Sequence, residues 1–302
     1  MDNFLAVLSS SEPVPGGGGA AALRGGAGSM RDRFSIDMTH GPLLGKILRF
    51  SLPLMASNIL QMLFSADSVV VGRFAGHASL AAVGSTVSII ALFVNLLIGA
   101  SVGVNVVIAH YLGLTGHDQE ISRTLHTAVT LALAGGVLLG GVGVLAADAA
   151  LRLMSVPADL RPLALLYVRT YFLGTPFTML YNYGAAILRA VGDTKRPLFF
   201  LIISGSVNAI LNLLLVIVFH LDVAGVAIST VIAQMISCTL VLTCLYRSDS
   251  SYQLRFSKLK IQPLYMKQIF QVGVPAGIQS TVINFSNVLL QSSVNSFGST
   301  AM

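Results

Sequence analysis

Residues 74–109 read FAGHASLAAVGSTVSIIALFVNLLIGASVGVNVVIA, without one Asp, Glu, Lys or Arg. About 20 predominantly apolar residues cross a hydrocarbon core as an α-helix. A buried core in a soluble protein does not account for an uncharged run of this length, so the stretch predicts a membrane span, at about 80–110. The same reading extends to residues 47–71, 124–147, 163–188, 197–219, 223–246 and 269–295. Composition agrees. Of 302 residues, 54% are hydrophobic and 10% charged, against about 25% charged in an ordinary soluble domain. The mean hydropathy is +0.80. The expected fold class is an all-α polytopic membrane protein, which excludes an ordinary soluble enzyme.

The net charge of +6 records an orientation. Arg73, Arg152, Arg161 and Arg169 fall in loops on one side of the expected spans. The rest of the 18 Lys and Arg residues fall on the side of the N-terminus. Cytoplasmic loops carry the excess of Lys and Arg, so the N-terminus is expected to be cytoplasmic and the protein to lie in the cell (inner) membrane. Basic residues spread over several inner segments are topological markers, and no nucleic-acid partner is expected. Residues 1–38, rich in Gly and Ala, offer nothing to bury and are expected to be disordered. Cys238 and Cys244 share one apolar run and read as packing residues.

Gly41-Pro-Leu-Leu-Gly45-Lys46-Ile47 imitates a phosphate-binding loop but is one residue short between its glycines. It also ends in Ile where a Ser or Thr must reach magnesium. No other nucleotide or metal-ligand spacing appears, and no nucleophile–base pair supports a membrane enzyme, so no cofactor is expected.

The first and last spans overlay. Pro53 falls on Pro275 and Gly76 on Gly298, with Asn58 and Gln61 in one copy answered by Gln279 and Asn284 in the other. Six spans between the copies make the repeat parallel, with its axis along the membrane normal, a common carrier plan. The expected organisation is a six-helix N-terminal lobe at 39–246, a cytoplasmic linker at 247–268 and the first helix of a second lobe at 269–302. A chain ending there is expected to be a fragment, lacking one wall of a central cleft and unable to transport alone.

Polar residues inside the spans are the candidate sites. Asp67 is the one acidic residue within a span. It reads either as a functional carboxylate facing a cavity or as an interfacial residue, since it lies near the outer end of its span. Ser204, Asn208 and Asn212 recur every four residues and share one helix face. They are either a site or interhelical hydrogen-bond glue. At about 1.5 Å per residue, Asn212 and Thr230 lie roughly 12 Å below the outer surface, with Asp67 slightly above and Asn208 slightly below. One carboxylate with amide and hydroxyl oxygens at matched depth suits a hard cation or a proton. Asn58, Gln61, Ser65 and Ser68 line another face of the first span. At about 100° per residue, Asp67 points about 200° from Ser65. Asn58, Gln61, Ser65, Gln279 and Asn284 are therefore candidates for a substrate cleft. Asn182 with Tyr181 and Tyr183 reads as either a substrate path or an interface.

These residues form a pattern. Leu52-Pro53-Leu54, Asn58, Gln61, Asp67 and Val71-Gly72, followed by Leu80-Ala81-Ala82-Val83-Gly84, resemble the opening of multidrug and toxic compound extrusion (MATE) transporters. Residues 188–197, LRAVGDTKRP, resemble that family's loop between helices 4 and 5, and 225–230, GVAIST, the start of its helix 6. The resemblance covers about 39–302. It implies two six-helix lobes around a central cleft, working as a monomer that exports small organic, cationic or amphipathic substrates against entering sodium or protons. It also implies a cation site in the first lobe at Asp67, Asn208 and Thr230. Asn212 stands where some members carry a second acid, which leaves the identity of the ion open. A lipid-linked precursor flippase is the nearest alternative, with more buried cations expected in its cleft. A non-transporting membrane scaffold is the alternative of another class.

Overall fold

The computed structural model describes residues 43–63, 76–114, 116–248 and 251–296. Regular structure among them is helical throughout: α1 Leu43–Leu63, α2 His77–Gly113, α3 Asp118–Leu153, α4 Arg161–Leu173, α5 Thr175–Ala190, α6 Lys195–Leu213, α7 Asp222–Tyr246 and α8 Pro263–Ser296. A π-helical turn, Leu214–Val218, continues α6, and Phe256–Lys258 is a short 3₁₀ turn. The all-α expectation holds. Among the described residues, four helices are long and apolar enough to cross a membrane: α2, α3, α7, and α6 with its π turn. Their outward faces carry large apolar side chains such as Leu145, which is 83% exposed. In water that surface would be costly; in lipid it is solvated.

The expected span at 163–188 arrives as two helices. The break falls at Leu173-Gly174-Thr175-Pro176. Pro176 sits in the first turn of α5, where its missing N–H costs no hydrogen bond. The junction rests on glycines of α3. A Cβ on Gly136 would stand 2.5 Å from the Pro176 Cα, and one on Gly140 would stand 2.8 Å from the Phe172 carbonyl oxygen. α5 becomes the axis of the bundle, packed against α2, α3 and α7, and only three of its residues are not fully buried, Pro176, Phe177 and Arg189. Asn105 of α2 donates to the Ala186 carbonyl at 3.0 Å, tying the two helices.

Two further devices position the ends. After α5, Gly192 takes φ 88°, a left-handed conformation natural only to glycine. The chain then returns so that Asp193 Oδ1 accepts the backbone N–H groups of Lys195 and Arg196 at 3.2 and 3.1 Å, opening α6. The stretch before α8 is strapped onto α3. His126 Nδ1 lies 2.6 Å from the Ser122 carbonyl, an acceptor, so Nδ1 carries the proton. Nε2 then accepts the Arg255 N–H at 3.0 Å. Leu254, fully buried, plugs the bundle beside this bond.

α8 lies along α2 with glycine backbones directly opposed at the crossing. A Cβ on Gly99 would overlap the Gly277 backbone, and one on Gly103 would stand 2.8 Å from the Gly273 N. Overpacking of this kind costs about 1–3 kcal/mol. Gly84, on the same helix, has open space around it, where alanine gains up to about 1 kcal/mol of helix propensity. Gly99→Ala should therefore lower the melting temperature of the purified chain in detergent, and Gly84→Ala should leave it unchanged or raise it. Equal melting curves for the two variants would contradict the contact.

Candidate functional site

The stripe Ser204, Asn208 and Asn212 on α6 is buried and faces α7. Ser204 Oγ is spent on its own helix, donating to the Phe200 carbonyl at 2.9 Å. The two asparagines join a shared network. Asn208 Nδ2 lies 3.4 Å from Thr230 Oγ1, Asn212 Nδ2 donates to Asn208 Oδ1 at 3.2 Å, and Ser229 Oγ donates to Asn212 Oδ1. Ser229 and Thr230 also reach the Val226 carbonyl, at 2.8 and 3.0 Å. Thr230 thus pairs with Asn208, and Asn212 with Asn208 and Ser229. Ser229 was not singled out from the sequence; its signal was its place beside Thr230.

The π turn begins directly after Leu213, with Phe219 N donating to the Leu214 carbonyl at 3.2 Å. Single π turns cluster at functional positions. The return into α7 is tight, with His220 and Asp222 at φ 52° and 43°. The result is a buried cluster of two amide and two hydroxyl oxygens, the donor set of a hard-cation site when a carboxylate completes it. Asp67 and Ser65 lie outside the described residues.

Thr230 also belongs to the wall of a cavity of about 530 Å³ inside the bundle, within the range of small-molecule sites. Asn58 of α1, one of the residues named for a substrate cleft, stands on the wall. α2 adds Asn95, α4 adds Tyr167 and Tyr171, and α5 adds Tyr181, Asn182 and Arg189. The break at Gly174 lets both halves of the divided span contribute. Tyr183 is a core residue, 1% exposed. Gln279 is exposed on α8 and is not on this wall. Gln61 and Asn284 lie within α1 and α8, and their side chains are outside the described set. Asn95 and Gln234 give little signal in the sequence because each is flanked by apolar residues, and Tyr167 and Tyr171 because they flank Arg169 and Thr170 near the start of the expected span.

The comparisons with known proteins follow this geometry. The family model described as MatE matches residues 53–214, and that described as Lipid II flippase MurJ matches 165–294. The chain is 29% identical over 265 residues to the probable multidrug resistance protein YpnP of Bacillus subtilis, covering 87% of this chain and 58% of that protein. It is 30% identical over 262 residues to the probable multidrug resistance protein YoeA of the same organism, covering 83% and 56%. It thus spans a little more than half the length of these relatives. Among solved structures, a MATE protein in a bent conformation superposes with a TM-score of 0.72 at 25% identity, over 77% of this chain and 52% of that one. A helical bundle with this likeness, matched over more than half its length by the MatE model, belongs to the MatE family.

Proposed function

We propose that the chain forms the cation-binding half of a sodium- or proton-coupled antiporter that exports drugs or small organic metabolites. The observation that carries this reading is the Asn208–Asn212–Ser229–Thr230 cluster, which opens through Thr230 onto the 530 Å³ cavity. Ion site and substrate space then share a wall. The multidrug relatives point the same way. In this reading, residues 39–246 are the first lobe, 247–268 the cytoplasmic linker and 269–302 the opening of the second. The complete transporter is a monomer in the cell membrane with its N-terminus inside. The helix-internal prolines Pro53 and Pro275 support the repeat. Of the substrate chemistries expected from the sequence, amphipathic suits the cavity better than cationic, because no acidic residue is among its described lining.

The coupling follows from differential binding. A proton or sodium ion on Asp67, assisted by the Asn208 and Thr230 oxygens, favours one of two bundle arrangements by as much as its affinity for them differs. A second reading, a flippase for lipid-linked precursors, draws on the MurJ match over 165–294. It calls for a cavity rich in cations, and the described lining includes one, Arg189.

Two measurements test the first reading. In everted membrane vesicles carrying the complete transporter, Asp67→Asn should abolish gradient-driven drug uptake while leaving insertion intact; undiminished uptake in that variant sinks the assignment. The purified chain alone should melt at a higher temperature as sodium rises at fixed pH, or as pH falls at fixed sodium. Ligand at about 100 times its Kd stabilises by about 2.7 kcal/mol. Asn208→Leu should remove most of that ion dependence, and a melting temperature indifferent to both ions would count against the site.

A further inference from the structure

The end of the cavity away from the oxygen cluster is built around a positive charge. Arg189 occupies the last turn of α5, and its side chain stands on the cavity wall. No Asp or Glu pairs with it among the described residues. Asp193, one turn on, is committed elsewhere: it caps α6 and pairs with Arg196 at 3.2 Å. Tyr181, a neutral phenol, is another residue of the same wall.

Between the two ends the wall presents acceptors. Asn95 Nδ2 donates to the Ala91 carbonyl at 2.7 Å, and Asn182 Nδ2 to the Thr178 carbonyl at 2.9 Å. Each amide thus spends a donor on its own helix and keeps its carbonyl for the cavity. Gln234 Oε1 is buried without a hydrogen-bond partner and belongs to the same wall. A guanidinium offers five donors in a fork that fits a carboxylate or phosphate in two parallel bonds. Out of bulk water, that charge is stabilised by a counter-ion.

We propose that the cavity takes an organic substrate bearing an anionic group, a carboxylate or a phosphate, which docks on Arg189 while donors on its body meet the carbonyls of Asn95, Asn182 and Gln234. This deepens the export reading and rests on it in taking the cavity as the substrate path.

The test uses the purified 302-residue chain in phosphatidylcholine nanodiscs, titrated by fluorescence polarisation with fluorescein and with rhodamine 6G. The dyes share a xanthene ring and differ in the sign of their charge. Fluorescein should bind about 10-fold more tightly or better, a difference of about 1.4 kcal/mol, and this comparison needs no variant. Arg189→Gln should remove that preference, Arg189→Lys should keep part of it, and neither should weaken rhodamine 6G. Ala91→Trp, which fills the cavity beside Asn95, should abolish binding of both dyes.

Tighter binding of rhodamine 6G, absence of fluorescein binding, or equal weakening of both dyes in Arg189→Gln overturns the anion site. The cavity survives as a substrate path where Ala91→Trp still blocks a dye. Binding of both dyes untouched by Ala91→Trp instead overturns the cavity reading itself. Nanodiscs containing phosphatidylglycerol separate two sources of the anion. Arg189-dependent loss of fluorescein there supports the site with a lipid headgroup as occupant, and undiminished binding supports it with a free organic anion.

Discussion

Backbone laid directly on backbone is the contact on which this bundle depends. Lipid tails are as apolar as leucine, so helices in a membrane gain little by hiding apolar side chains from one another and rely on close packing instead. The glycines supply it. Gly136 and Gly140 of α3 receive the Phe172–Pro176 junction, and Gly99 and Gly103 of α2 receive Gly273 and Gly277 of α8. The first contact has the larger consequence. It holds a break in what would otherwise be one span, and the break turns Tyr167 and Tyr171 above it and Asn182 and Arg189 below it toward one space. The break is held by two missing side chains on α3.

The connection before α8 obeys a different constraint. It lies at the mouth of the bundle, where backbone polar groups partly leave water and need partners. His126 supplies one because its own ring is fixed. The Ser122 carbonyl claims the proton on Nδ1, which leaves Nε2 as an acceptor for Arg255. Thr127 adds a second tie, its Oγ1 accepting the Gln262 N–H at 3.3 Å. The last residues before α8 are thereby bound to α3, and α8 starts in register for its glycines to meet those of α2.

Much of this was legible in the sequence, for reasons that can be named. Uncharged runs marked the spans because hydrocarbon tolerates nothing else. The four-residue spacing of Ser204, Asn208 and Asn212 gave one face because helix geometry fixes it. The divided span at 163–188 was hidden because hydropathy counts side chains and ignores the hydrogen bond that Pro176 lacks. Arg189 was counted as a loop charge, since composition places a basic residue at the end of a span and is silent on which way its side chain runs.

The two ends of the cavity bear on how ion and substrate are linked. In the reading proposed above, the oxygen cluster at Asn208 and Thr230 and the guanidinium of Arg189 would take ligands of opposite charge, so the two would not compete for one group. Coupling between such sites has to pass through the helices. Thr230 and Gln234 sit one turn apart on the same face of α7. Gln234 Oε1 lies 2.6 Å from where a Cβ on Gly174 would stand, against the break itself. Gly174, at the break, leaves room for this contact, which sets α7 directly against the junction of α4 and α5.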